Sequence, residues 1–213
     1  MHHMFATSLA GQEKPPALMM RRLRRRHEAW VGKPTDRLFL AVLPDAKTAT
    51  RIAETARHLR ISHGLAGKPL RSEHFHVTLC VVDQGIGCSL NRVESVKERV
   101  ARVVMPSFRV GFDRAESFKN GALVLRGDDS VIGLEILQQR LSDALDGRPG
   151  KARPFTPHVT LLRDGYRVPE QRIEPIEWTV RELVLVHSLI GRTTHRHIAR
   201  WPLGCLSAGA MRP

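Results

Sequence analysis

Two histidines and two threonines in this chain recur in a pattern that could do chemistry. His76-Val77-Thr78-Leu79 lies in "RSEHFHVTLC", which begins at Arg71, and His158-Val159-Thr160-Leu161 lies in "RPFTPHVTLL", which begins at Arg153. With 11 His and 11 Thr among 213 residues, chance supplies about half of one His-x-Thr, and the full tetrapeptide far less often. Imidazole titrates near pH ~6.5, so of two facing histidines one can be neutral while the other is protonated. A positioned general acid or base contributes on the order of 100- to 10,000-fold in rate. Threonine hydroxyls two residues on can donate hydrogen bonds to an anion held between the rings. Arg163, five positions after His158, carries a planar fork suited to a phosphate oxygen. One isolated copy would read as a half-buried strand, since threonine favours strands. Two copies in matching contexts point to an acid–base pair acting on a phosphate.

Such a pair needs strands to aim it. In a strand His76 and Thr78 share one face, with Phe75, Val77 and Leu79 on the other; Phe155, Val159 and Leu161 oppose His158 and Thr160 in the same way. Upstream, "RLFLAVL" (Arg37–Leu43) reads as a buried strand, and Asp45 as the N-cap of a helix through "AKTATRIAETARHLRISH" with Ile52, Ala56 and Leu59 on its apolar side. A second helix is expected from about Ser89 to Val104. "FRVGFDRAESFKNGALVLRG" reads as two strands with Asn120-Gly121 as a turn signal. A third helix is expected from about Asp129 to Leu145 with Ile132, Ile136, Leu137 and Leu141 on one side, and "WTVRELVLVHSL" and "HRHIARWPL" as two closing strands. This alternation in two similar halves predicts an internally duplicated α+β fold, with both His/Thr pairs facing one groove.

Bulk properties narrow the function further. The net charge is +13, which makes polyanions the natural partners. Residues 1–35 hold seven Lys/Arg against Glu13 and Glu28, a surplus of five, and read as a flexible basic tail. The two-lobed domain is expected over residues 36–206, with 207–213 as a C-terminal tail. No stretch approaches the roughly 20 apolar residues of a membrane span, and no signal peptide is evident. Three cysteines in no C-x-x-C pair argue for a reducing, cytoplasmic setting rather than a disulfide framework. His74-x-His76 and His195-x-His197 lack suitably spaced Asp, Glu or Cys companions, so no metal site is expected. Phe39 and Phe118 are candidates for base stacking. A non-catalytic RNA-binding protein using the same basic groove is the alternative from a different class.

The paired H-x-T-x motifs resemble those of the 2H phosphoesterases. "DRLFLAVLPD", "FHVTL", "FRVGFDRAESF", "FTPHVTLLRDG" and "LVLVHSLIGRTTHRHIARWPL" are similar to consecutive blocks of bacterial 2'-5' RNA ligase-like proteins, which are RNA 2',3'-cyclic phosphodiesterases. The resemblance runs from about Asp36 to Leu203. It implies a bilobal fold with two antiparallel-rich sheets facing a central groove and helices packed outside. It also implies cofactor-free, metal-independent hydrolysis of a 2',3'-cyclic phosphate, on RNA or a cyclic nucleotide, to a 2'-phosphomonoester, with reverse 2'-5' ligation open to the same site. His76 then matches the acid and His158 the base, Thr78 and Thr160 the hydroxyls, and Arg163 a phosphate-contacting arginine. A monomer without obligate protein partner is expected. Where the family continues with a Phe-Leu-Gly-like segment, this chain reads "CVVDQGIG" (Cys80–Gly87).

Overall fold

The run Arg37–Leu43 is apolar at nearly every position because the strand it forms has neighbours on both sides. That strand, β1 (Asp36–Val42), pairs antiparallel with β2 (Val77–Gly85) and with β7 (Glu182–Leu189). The computed structural model describes residues 33–146, 154–192 and 194–204. The expected basic tail, apart from its last residues, and the segment 207–213 lie outside the described residues.

Among the described residues, eight strands form two four-stranded antiparallel sheets. The first has the order β2-β1-β7-β8, with β8 spanning Thr194–Pro202. The second has the order β5-β4-β3-β6: β3 is Phe108–Ser117, β4 Ala122–Arg126, β5 Val159–Arg163 and β6 Gln171–Val180. Each sheet places a His/Thr strand, β2 or β5, at one edge, and beside it the strand that precedes a helix. The duplication read from the sequence is thus expressed as one α+β pattern built twice. The second sheet is continuous in sequence, whereas the first takes β1 and β2 from before it and β7 and β8 from after it.

Among the described residues, three α-helices cover the sheets' core faces. α1 (Ala46–Ser62) begins at Asp45, whose carboxylate accepts from the Thr48 backbone N–H at 2.8 Å, and buries Ile52, Ala56 and Leu59 as expected. α2 (Leu90–Val100) buries Val93, Val96 and Val100. α3 (Ile132–Asp146) differs from the expected face. Leu134, Leu137 and Leu141 are buried, while Ile132 and Ile136 are 51 % and 44 % exposed. One turn of 3-10 helix at Asp129–Val131 starts the element and buries Val131, rotating the apolar stripe away from the two isoleucines.

The stretch "WTVRELVLVHSL" is not one strand. It ends β6 and begins β7, which lie in different sheets, with Arg181 between them and its carbonyl accepting from the Leu203 N–H at 2.7 Å. Buried positions are even-numbered before the break (Trp178, Val180), and the core cluster then takes odd ones (Leu183, Leu185). That slip marks the crossing, because a strand cannot change its buried face without a break. β6 also contains Pro175 and lies at a sheet edge, where a missing N–H is tolerated. One continuous apolar cluster joins both sheets to the helices. A smaller one, Phe39, Ala41, Val184 and Val186, lies on the opposite face of the first sheet.

Candidate active site

Alternation along the two edge strands sets the site. Phe75, Val77 and Leu79 are buried, and so are Val159 and Leu161. His76, Thr78, His158 and Thr160 emerge half-buried on the other face, and all four line a single cleft of about 630 Å³. Arg163, at the end of β5, lines it as well.

The two imidazoles are held alike. His76 Nδ1 lies 2.7 Å from the His74 carbonyl oxygen, and His158 Nδ1 lies 2.7 Å from the Thr156 carbonyl oxygen. A carbonyl only accepts, so each Nδ1 carries the proton, and each Nε2 is left for the cleft. Each ring is also backed by a phenylalanine at a centroid distance of 5.0 Å, Phe39 behind His76 and Phe118 edge-on to His158. This is where the two aromatic candidates reside. Phe39 is 3 % exposed and has almost no surface to offer a base; its ring orients His76 instead. Phe118 is half-buried against His158.

Burial lowers the pKa of His76. The His74 carbonyl opposes that shift, while His158, His74 and Arg37 add to it. Burial likewise lowers that of His158 against the Thr156 carbonyl, helped by Arg126 and Arg163. In both cases desolvation disfavours the imidazolium.

Other residues line the cleft too, among them His195, which reads from sequence as a surface or groove-lining histidine, and Arg37 and Lys68, which sequence does not single out. His195 stands 5.4 Å from His76 and 4.8 Å from the buried His74, ring to ring, and its pKa is lowered to about 4 by burial and then by those two histidines. Ladder register places it: Arg37 pairs with Ser188, and Ser188 with His195, in one row across the first sheet. His197 lies outside the cleft and pairs with Arg200. Arg37 Nε donates to Gln84 Oε1 at 3.0 Å. Lys68 is on the loop before the first motif. Among the described residues, no carboxylate pairs with Arg37, Lys68 or Arg163, and no Asp or Glu lines the cleft. Some arginines elsewhere are matched by carboxylates, Arg126 by Glu116, Arg109 by Glu177 and Arg200 by Glu182. The cleft thus carries cations and, among the described residues, no carboxylate to offset them, as an anion site requires.

The profile of the 2'-5' RNA ligase superfamily matches residues 44–191, a segment that contains both motifs. The chain belongs to the 2'-5' RNA ligase superfamily. Among similar proteins, the RNA 2',3'-cyclic phosphodiesterase of Escherichia coli (strain K12) is 29 % identical over 177 residues, covering 78 % of this chain and 96 % of that one. The crystal structure of E. coli LigT complexed with 3'-AMP matches with a TM-score of 0.62 and 27 % identity, over 81 % of this chain and 100 % of that chain. The structure of TT0787 from Thermus thermophilus, 24 % identical with a TM-score of 0.59, shares the fold. Its coverage is 78 % of this chain and 97 % of that one. The two-sheet α+β architecture is the fold shared with these structures.

Proposed function

We propose that the protein hydrolyses RNA 2',3'-cyclic phosphate ends to 2'-phosphomonoesters by two-histidine acid–base catalysis. The observation that carries this reading is the matched pair of imidazoles, each with Nδ1 tied to a carbonyl and Nε2 free in a carboxylate-free cationic cleft. The E. coli relative's activity supports the same substrate class.

Water attacks the cyclic phosphorus in line with O3'. His158 Nε2 takes the water's proton as the P–O bond forms, and His76 Nε2 donates a proton to O3' as the P–O3' bond breaks. The product carries a 2'-phosphate and a free 3'-hydroxyl. Thr78, Thr160 and Arg163 hold the non-bridging oxygens, where charge grows in the transition state. A 5'-hydroxyl in place of water gives a 2'-5' linkage by the same proton transfers. Water's abundance favours hydrolysis.

The test incubates the purified chain with an oligoribonucleotide ending in a 2',3'-cyclic phosphate, in a strong chelator, and identifies the product end. A 2'-phosphate is expected, with kcat reduced on the order of 100- to 10,000-fold in His76→Ala and in His158→Ala. RNA bound without any conversion would overturn the hydrolase reading in favour of a binding protein.

A further inference from the structure

We propose that Lys68 forms a second phosphate subsite, for the phosphate on the 5'-oxygen of the nucleotide whose 2',3'-cyclic phosphate reacts. The inference rests on the hydrolase reading above.

Charge is the first argument. A cyclic phosphodiester carries one negative charge, which Arg163 and one protonated imidazole already answer as it grows during attack. Lys68 is surplus to that need, yet it lines the cleft, and among the described residues it has no hydrogen-bonded or ionic partner. Its ammonium is free for a ligand.

Backbone placement is the second. The loop bearing Lys68 is clasped to the end of the second motif strand. Gly67 N–H donates to Asp164 Oδ2 at 2.6 Å, and Leu70 N–H donates to the Leu161 carbonyl at 2.8 Å. The approach is so close that a Cβ on Gly67 would meet the Arg163 carbonyl oxygen at 2.1 Å, so only glycine fits. Asp164 is itself held by the Tyr166 N–H at 2.8 Å, and its own N–H donates to the Gly121 carbonyl at 2.9 Å. The backbone preceding Lys68 is thereby held against that of Arg163, and both residues line the one cleft although they belong to different parts of the chain.

Ligand chemistry is the third. With both the 2'- and 3'-oxygens tied up in the cyclic phosphate, an RNA strand can continue only from the 5'-oxygen. The second anion nearest the reacting one is therefore the 5'-phosphate group. A cation lining the same cleft as Arg163 is suited to reading it, and would favour strand ends over cyclic nucleosides.

The test compares kcat/KM for a nucleoside 2',3'-cyclic phosphate bearing a 5'-hydroxyl with the same compound bearing a 5'-phosphate. Native protein, Lys68→Ala and Lys68→Arg are measured at low and at moderate salt. Native protein is expected to favour the 5'-phosphorylated probe by on the order of tenfold. That ratio should fall several-fold in Lys68→Ala and be largely kept in Lys68→Arg. The loss of kcat/KM with rising salt on the 5'-phosphorylated probe should be shallower in Lys68→Ala, which has one screened charge pair fewer. A ratio identical in native protein and Lys68→Ala would overturn the subsite and leave the hydrolase standing. No turnover of either probe by native protein would overturn the hydrolase reading and the subsite with it.

Discussion

His76 and His158 are mirror images in their bonding: each donates its Nδ1 proton to the carbonyl two residues earlier, at the same 2.7 Å, and each leans on a phenylalanine ring at 5.0 Å. Neither ring carries a carboxylate partner that would raise its pKa. Both are held in one tautomer by main chain alone, so burial governs their titration.

Burial lowers both pKa values from 6.5, so the bell-shaped profile of kcat/KM is expected to peak below pH 6.5. A bound phosphate favours the imidazolium and raises both values, which moves both limbs of the kcat profile to higher pH than those of kcat/KM. Initial rates from pH 4.5 to 8.5 measure both profiles. A flat profile would remove the paired imidazoles from the mechanism.

Thr78→Val and Thr160→Val keep strand preference and shape but delete the hydroxyls that face the cleft. A hydrogen bond to a charged group is worth about 1.5–3 kcal/mol, so each variant should lose on the order of 10- to 100-fold in kcat. Thr→Ser at either position should recover most of that loss. Wild-type rates in both valine variants would show that the hydroxyls do not touch the reacting phosphate.

The pKa of His195, lowered to about 4, links pH to stability. Unfolded, it binds a proton near pH 6.5; folded, it refuses that proton until about pH 4. The unfolded state thus holds more protons between these values, and stability falls as pH drops from 6.5 toward 4. His195→Phe should flatten that part of the curve, read as the melting temperature at pH 4.5, 5.5 and 7. An unchanged slope would place the linkage elsewhere.

Gly67→Ala puts a methyl against the Arg163 carbonyl, 2.1 Å away before relaxation. Overpacking of this kind costs about 1–3 kcal/mol, and here the strain is delivered to the end of β5, which carries Arg163. Both stability and kcat/KM are expected to fall. Gly165→Ala, whose Cβ would meet nothing within 4 Å, is the nearby control. Equal melting temperatures and rates for the two variants would show that the clasp does not position the site.

The motif residues were readable from sequence because strand alternation is a strict rule. Once Phe75, Val77 and Leu79 turn inward, His76 and Thr78 have to turn outward. The rest of the cleft depends on pairings that sequence order hides. His195 reaches His76 only because β8 pairs with β7, which pairs with β1. Lys68 joins Arg163 in the cleft through the close approach of Gly67. Periodicity also misplaced the α3 stripe, because the preceding 3-10 turn buries Val131 and shifts the phase of the helix after it. The break at Arg181 was hidden because Leu183, Val184, Leu185 and Val186 are all buried, so β7 shows no alternation that would reveal a change of face.

The interrupted first sheet gives the polypeptide a timetable. As the chain leaves the ribosome, all four strands of the second sheet, Phe108–Val180, are out before β7 and β8. β1 lacks one neighbour at that point, because the partners of Leu38 and Leu40 on that side are His187 and Leu185, made after the whole second sheet. Pairing over that separation is slow to form. Every strand of the sheet carrying β5 is therefore synthesised before β7 completes the sheet carrying β2. A nascent chain halted at Val180 would possess both His-Val-Thr-Leu motifs and still lack the strand that flanks β1 opposite the first of them.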